Sequence, residues 1–271
     1  MIERFGLRAD KRLGQHFLLD PAVLDRIARH AGDLAGRAVL EVGPGPGGLT
    51  RALLATEAAR VIAVERDPRC LDALQTLLAH AGGRLDLVQG DALALELADL
   101  VDGPVVIVAN LPYNVATPLL VKWLDTPERV PRMVLMFQRE VALRLVAAPG
   151  TAAYGRLSVL VQWLAQAQIA MHLPAGAFLP PPKVSSSLVR LEPRPQPLAP
   201  APRAAFERVL KAAFGQRRKM LRASLRTLGC PPGDLCRTAG IAETARAETL
   251  SVEDFCRLAQ AYAAAGGAGQ C

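Results

Sequence analysis

The run Asn110-Leu111-Pro112-Tyr113-Asn114 has the residue types and spacing needed to work on an amino group attached to an aromatic base. Such an amine is a poor nucleophile, because its lone pair is delocalised into the ring. The Asn110 side-chain oxygen and the Leu111 carbonyl can accept its two hydrogens, which turns the lone pair toward an electrophile. Pro112 stiffens the turn and brings no N–H of its own. Tyr113 offers a ring on which a flipped base can stack. The chemistry this allows is positioning plus electrostatic stabilisation of an in-line displacement, with no covalent enzyme intermediate and no strong general base. The bland alternative is an Asx-type turn that only ends a strand.

A second constellation lies upstream. Gly43, Gly45 and Gly48 in Glu41-Val42-Gly43-Pro44-Gly45-Pro46-Gly47-Gly48 satisfy the G-x-G-x-x-G spacing that brings backbone close to a ligand at the opening of a helix. The pattern does not separate a nicotinamide enzyme from an S-adenosylmethionine enzyme. Glu65 follows Gly43 by 22 residues, where a carboxylate can accept from both hydroxyls of a ribose; otherwise it is a strand-end charge facing solvent. Asp91, in Gly90-Asp91-Ala92, can accept from an exocyclic adenine amine or simply form a turn.

These residues need a frame that gathers loops. The apolar runs Ala38–Val42, Val61–Glu65, Leu85–Val88, Val105–Val108 and Met133–Phe137 alternate with segments of helical length at 48–57, 68–80 and 115–125. That alternation predicts a doubly wound α/β domain, a parallel sheet covered on both faces, with ligands at the carboxyl ends of the strands. Asp20-Pro21 predicts the start of an earlier helix striped by Val23, Leu24, Ile27, Ala28 and Ala31, and Leu188–Leu191 predicts a last strand. The stretch from Glu192 to Pro202 holds five prolines in 11 residues and reads as a stiff linker. Beyond it the pattern is helical and basic, with turns at Gly229–Gly233 and Gly240 and a tail after Tyr262 that is expected to fray. The expected domains are therefore residues 1–195, with an N-terminal segment and helix over 1–35, and residues 196–271.

Length and composition set the bounds. A chain of 271 residues, 51% hydrophobic and 21% charged, buries a core without disulfides and is neither disordered nor collagenous. No apolar run has the roughly 18–20 residues of a membrane span, and the N-terminus lacks a secretory h-region, so a cytoplasmic location is expected. Five cysteines, none in C-x-x-C spacing, fit reduced thiols and no zinc. The net charge of +7 is concentrated. Between Arg203 and Arg226 stand eight basic residues and one acid, Glu207, while the rest of the chain balances at 24 of each sign. A solvated helix face is the ordinary explanation for such a run, but this clustering favours a phosphate-binding surface. A weaker cluster lies at Arg4, Arg8, Lys11 and Arg12.

Six segments occur in order: Gly14-Gln15-His16-Phe17-Leu18, Glu41–Gly45, Asn110–Asn114, Tyr154-Gly155-Arg156-Leu157-Ser158, Phe178–Val184 and Phe214-Gly215-Gln216-Arg217-Arg218-Lys219. Together they resemble the bacterial small-subunit (16S) ribosomal RNA adenine N6,N6-dimethyltransferase family, over about residues 4–262. The resemblance implies a Rossmann-like methyltransferase domain with a small C-terminal helical domain, and S-adenosylmethionine as methyl donor. It implies four transfers to two adjacent adenosines near the 3′ end of small-subunit rRNA, late in subunit assembly. No interface signature stands out in the sequence, so a monomer is expected. The resemblance also implies cofactor contacts from His16, Leu18, Gly43, Gly45, Glu65, Asp91 and Asn110, and catalysis at Asn110, Leu111, Pro112 and Tyr113. A base would be sandwiched by Tyr113 and Phe178, though from its own surroundings Phe178 reads as a buried loop anchor. Arg217, Arg218 and Lys219 would hold phosphates. His16 departs from the pattern, since many members carry Asn there; it can still donate a hydrogen bond, or merely cap or pack a loop. The competing readings are a large-subunit rRNA dimethyltransferase, a non-catalytic RNA-binding assembly factor and a dinucleotide oxidoreductase, the last leaving Asn110–Tyr113 without a role.

Overall fold

In the computed structural model, which describes residues 15–266, the first element is a two-residue strand β1 (Phe17–Leu18). The basic cluster at Arg4–Arg12, Gly14, Cys271 and the end of the Ala/Gly tail lie outside the described residues. Helix α1 (Pro21–His30) starts where Asp20 accepts from the Ala22 N–H at 2.9 Å and Pro21 presets the first turn. Its Leu24, Ile27 and Ala28 are buried.

The aliphatic runs then form strands whose period cannot be read as two-faced, because both faces are covered. They are β2 (Ala38–Val42), β3 (Arg60–Glu65), β4 (Leu85–Gln89), β5 (Val105–Ala109) and β6 (Met133–Gln138). Between them run α2 (Gly48–Leu54), α3 (Pro68–Leu78), α4 (Leu97–Leu100) and α5 (Tyr113–Leu124), followed by α6 (Arg139–Leu145) and α7 (Arg156–Leu164). The later strands are β7 (Ala165–Leu173), β8 (Phe178–Leu179) and β9 (Ser186–Pro193). The main sheet has the order β4-β3-β2-β5-β6-β9-β7. Its first five strands are parallel, in register through Leu40↔Ile62 and Leu40↔Ile107, and β9 is antiparallel to β6 with Met136 opposite Leu188. The strand order reverses between β2 and β5, and a crevice for ligands opens at their carboxyl ends. A separate ribbon pairs β1 with β8, Leu18 opposite Phe178.

Two compact units divide the chain. The first comprises residues up to Ala142 and Ala167–Pro193; the second comprises Leu143–Gln166 and Arg194 onward. A single boundary at 195, as expected from the prolines, leaves out why residues 143–166 belong with the later helices. Trp163 stacks on Phe206 with centroids 4.1 Å apart and donates its indole N–H to the Ala199 carbonyl at 2.8 Å. Tyr154 is fully buried and donates to the Leu250 carbonyl. The proline-rich stretch is likewise not a free spacer: Leu198 N–H donates to Trp163 O and the Gln260 amide to Pro200 O. The unit is completed by α8 (Arg203–Gly215), α9 (Leu221–Ser224), α10 (Pro232–Ala239) and α11 (Val252–Ala264), the last opened by a reciprocal Ser251–Asp254 capping box. Among the described residues no helix is long and apolar enough to cross a membrane.

Candidate active site

Asn110 stands one residue beyond the fully buried β5, and Pro112 caps α5 with φ −55° and ψ 133°. The Asn110 Nδ2 donates to the His16 carbonyl at 3.2 Å. Because a carbonyl can only accept, this contact fixes which way the amide points and leaves Oδ1 available. Among the described residues nothing donates to Asn110 Oδ1 or to the Leu111 carbonyl. Among the described residues the two acceptors expected from the sequence are therefore both without a donor. Tyr113 is half-buried at the first position of α5; its hydroxyl meets Ser186 Oγ at 2.7 Å and its ring lies 6.1 Å from that of His16, tilted by 28°. Burial raises the phenol above its ordinary value, so Tyr113 acts as a neutral ring and hydrogen-bonding group.

The glycine loop follows β2. Gly43 and Gly45 have φ of +70° and +54°, the left-handed region that glycine enters without strain. A Cβ on Gly45 would also stand 3.0 Å from the Phe17 ring. Gly45 N–H donates to Glu65 Oε2 at 3.0 Å, while the N–H groups of Arg66 and Asp67 donate to Oε1 at 2.8 Å each. Burial raises the Glu65 carboxyl, and these backbone donors oppose the rise. Asp91 forms the turn expected of it, its Oδ1 accepting from Leu93 N–H at 3.0 Å, while Oδ2 makes an exposed ion pair with Arg66 at 3.3 Å. Gln15 ties the N-terminal segment to Asp67 at 3.0 Å, and Arg69 holds the Asp67 carboxyl below its ordinary range.

One cavity is lined by His16, Leu18, Gly43, Gly45, Glu65, Asp91 and Asn110–Asn114, so these expected residues are brought together. Phe178 is not among its lining residues. It is 4% exposed and packs in the core, on the strand that pairs with β1, where it forms the buried anchor its surroundings suggest. His16 donates its Nδ1–H to the Pro180 carbonyl at 2.8 Å, and it orients Asn110 through its backbone, a service that Asn in its place also provides. The basic turn lies in the other unit. Arg217 pairs there with Glu248 at 3.0 Å and donates to the Ala152 carbonyl at 2.8 Å, which ties it into the helical unit. Arg218 and Lys219 are exposed and unpartnered among the described residues.

Two groups escaped the sequence reading. Ser186 carries no motif signal. Glu41 does, as a carboxylate inside an apolar strand. It is 1% exposed, lines the cavity, and its Oε2, like the Thr50 hydroxyl, has no well-formed hydrogen bond among the described residues. Burial pushes its carboxyl up to about 8, with Thr50 opposing the rise and Glu65 adding to it. The folded chain thus keeps a proton that the unfolded chain releases near 4.5, so this contribution to stability is complete below that pH and is lost as pH rises through about 8. Thermal unfolding between about pH 5 and about pH 9 should show wild type losing up to a few kcal/mol relative to Glu41→Gln. Parallel curves would contradict a proton held at Glu41.

The lining suits a particular ligand. Glu65 and Asp91 line it with carboxylates and Glu41 with a protonated carboxyl, and the one lysine or arginine among the lining residues, Arg66, is paired with Asp91. Sheet order, glycine loop and acidic lining place this fold among the Rossmann-like methyltransferases that use S-adenosylmethionine. The sequence pattern of the ribosomal RNA adenine dimethylase family matches residues 6–264, and the chain belongs to that family. Similar proteins include "Ribosomal RNA small subunit methyltransferase A" of Mesorhizobium japonicum, 58% identical over 95% of both chains, and its namesake in Xanthobacter autotrophicus, 56% identical over 97% of this chain and 92% of the relative. Among solved structures, a dimethyladenosine transferase from Plasmodium falciparum is 26% identical with a TM-score of 0.79, covering 93% of this chain and 98% of its own. The 23S rRNA methyltransferase ErmE is 29% identical with a TM-score of 0.68, covering 91% of this chain and 99% of its own.

Proposed function

We propose that the protein dimethylates the N6 amino groups of two adjacent adenosines near the 3′ end of 16S rRNA, acting as a cytoplasmic monomer on immature small subunits. The observation that carries this reading is the pair of uncommitted acceptors, Asn110 Oδ1 and Leu111 O, beside the Tyr113 ring. When bound, S-adenosylmethionine would supply an electrophilic methyl carbon on a sulfonium, for an in-line displacement whose C–S bond breaks as the N–C bond forms and whose leaving group is a neutral thioether. Gly43, Gly45, Glu65 and Asp91 would hold that donor, together with Leu18 and His16. Asn110 and Leu111 accept the amino hydrogens and present the lone pair; Tyr113 stacks the base; the proton displaced from nitrogen leaves to solvent. The choice of the small subunit over the large is supported by relatives above 50% identity named for the small subunit, against 29% for ErmE.

Methylating immature small subunits and purified large subunits side by side with labelled donor tests it. Label is expected in the small subunit, and label in the large subunit alone would overturn the assignment. Arg218 and Lys219 are the proposed phosphate contacts of the helical unit. Neutralising both should flatten the salt dependence of RNA binding by roughly 0.7–0.9 in log–log slope for each phosphate left without its cation. An unchanged slope would remove this turn from the RNA surface.

A further inference from the structure

Ser186 is fully buried, and its backbone is fixed on both sides. It opens β9 opposite Gln138 of β6, and the preceding Ser185 carbonyl accepts from Arg139 N–H at 2.9 Å. Its hydroxyl has one partner among the described residues, the Tyr113 hydroxyl at 2.7 Å. Among the described residues the aromatic ring beside that of Tyr113 is His16, 6.1 Å away, and two side-chain torsions set where the Tyr113 face lies. A rigid strand end therefore anchors the far tip of the ring that stacks the base.

We propose that Ser186 is a positioning residue whose hydrogen bond to Tyr113 governs the second methyl transfer. The inference rests on the amino-dimethylation reading above. In the first transfer the amine offers two hydrogens, one each to Asn110 Oδ1 and Leu111 O. After it, N6 carries a methyl group and a single hydrogen, so one of the two acceptors is left without a partner. Stacking on Tyr113 must then supply the orientation that the missing hydrogen bond supplied before. A ring free to swing harms the second step more than the first.

The test compares wild type, Ser186→Ala, Ser186→Thr, Tyr113→Phe and the Ser186→Ala/Tyr113→Phe double variant. Time courses of mono- and dimethyladenosine are read by mass spectrometry, with donor affinity from calorimetry. Ser186→Ala should slow the second transfer roughly tenfold relative to the first, with monomethyl product accumulating and donor affinity unchanged. Ser186→Thr keeps the hydroxyl and should restore dimethylation. Tyr113→Phe keeps the ring and should show the same bias, and the double variant should be no worse than either single one. Equal slowing of both transfers, or additive effects in the double variant, would overturn the proposal. If Ser186→Ala does not fold, Tyr113→Phe decides alone: absence of bias overturns it. Wild type that forms no dimethyladenosine overturns the parent reading as well, whereas wild type that dimethylates beside unbiased variants overturns this inference only.

Discussion

Replacing Asn110 by alanine is expected to lower methyl transfer by roughly 100–1000-fold while RNA affinity changes little. The substitution removes the Oδ1 acceptor and also the Nδ2 hydrogen bond that fixes its direction on the His16 carbonyl. Both effects fall on the reacting nitrogen, whereas the groups proposed to hold RNA lie on the helical unit. Asn110→Asp sharpens the result. It keeps an acceptor but sets an oxygen against the His16 carbonyl, so its carboxylate is repelled from the position the amide holds. Activity well below wild type is expected there too. Single-turnover transfer at saturating donor checks both variants, and wild-type turnover in Asn110→Ala would refute the role.

Glu65→Ala should weaken donor binding by on the order of 100-fold, measured by calorimetry, and lower the melting temperature. Its carboxylate gathers the N–H groups of Gly45, Arg66 and Asp67, and hydrogen bonds to charged groups contribute roughly 1.5–3 kcal/mol each. Removing it strips an acceptor from the glycine loop and from the start of α3 at once. Glu65→Gln is not a gentle replacement, since its NH₂ would have to face one side of that set of donors. Donor affinity unchanged in both variants would mean that Glu65 only braces the loop.

Much of this was legible in the residues. The run Ala38–Val42 is β2 to the residue, and the other four parallel strands differ from their apolar runs only at the ends. Continuous aliphatic stretches between helical segments have few other folds open to them. β7 was not legible. It follows α7 without an intervening turn residue, and as an edge strand, Ala165–Leu173, it has only intermittent burial instead of a solid apolar run. β1 and β8 are two residues long, too short for any period.

The site divides in the same way. Gly43, Glu65, Asp91 and Asn110 each stand at or just beyond the end of a strand of the parallel sheet, so topology alone brings them to one cavity. Ser186 reaches Tyr113 from 73 residues away, and Arg217 is claimed by Glu248 from 31 residues away. Pairings at such separations have no local signature. The charge pattern marks the basic turn, yet it could not distinguish Arg217, which braces the helical unit, from Arg218 and Lys219, which face solvent. Phe178 shows the converse case, since its apolar surroundings alone describe its place in the core.

The central claim is the identity of the modified atoms. Mass spectrometry of 16S rRNA from unmethylated small subunits, after incubation with the enzyme and S-adenosylmethionine, tests it most directly. The account predicts two neighbouring adenosines near the 3′ end, each heavier by two methyl groups, with every other nucleotide unchanged. Methyl groups on a different base, or on the large-subunit rRNA alone, would contradict it.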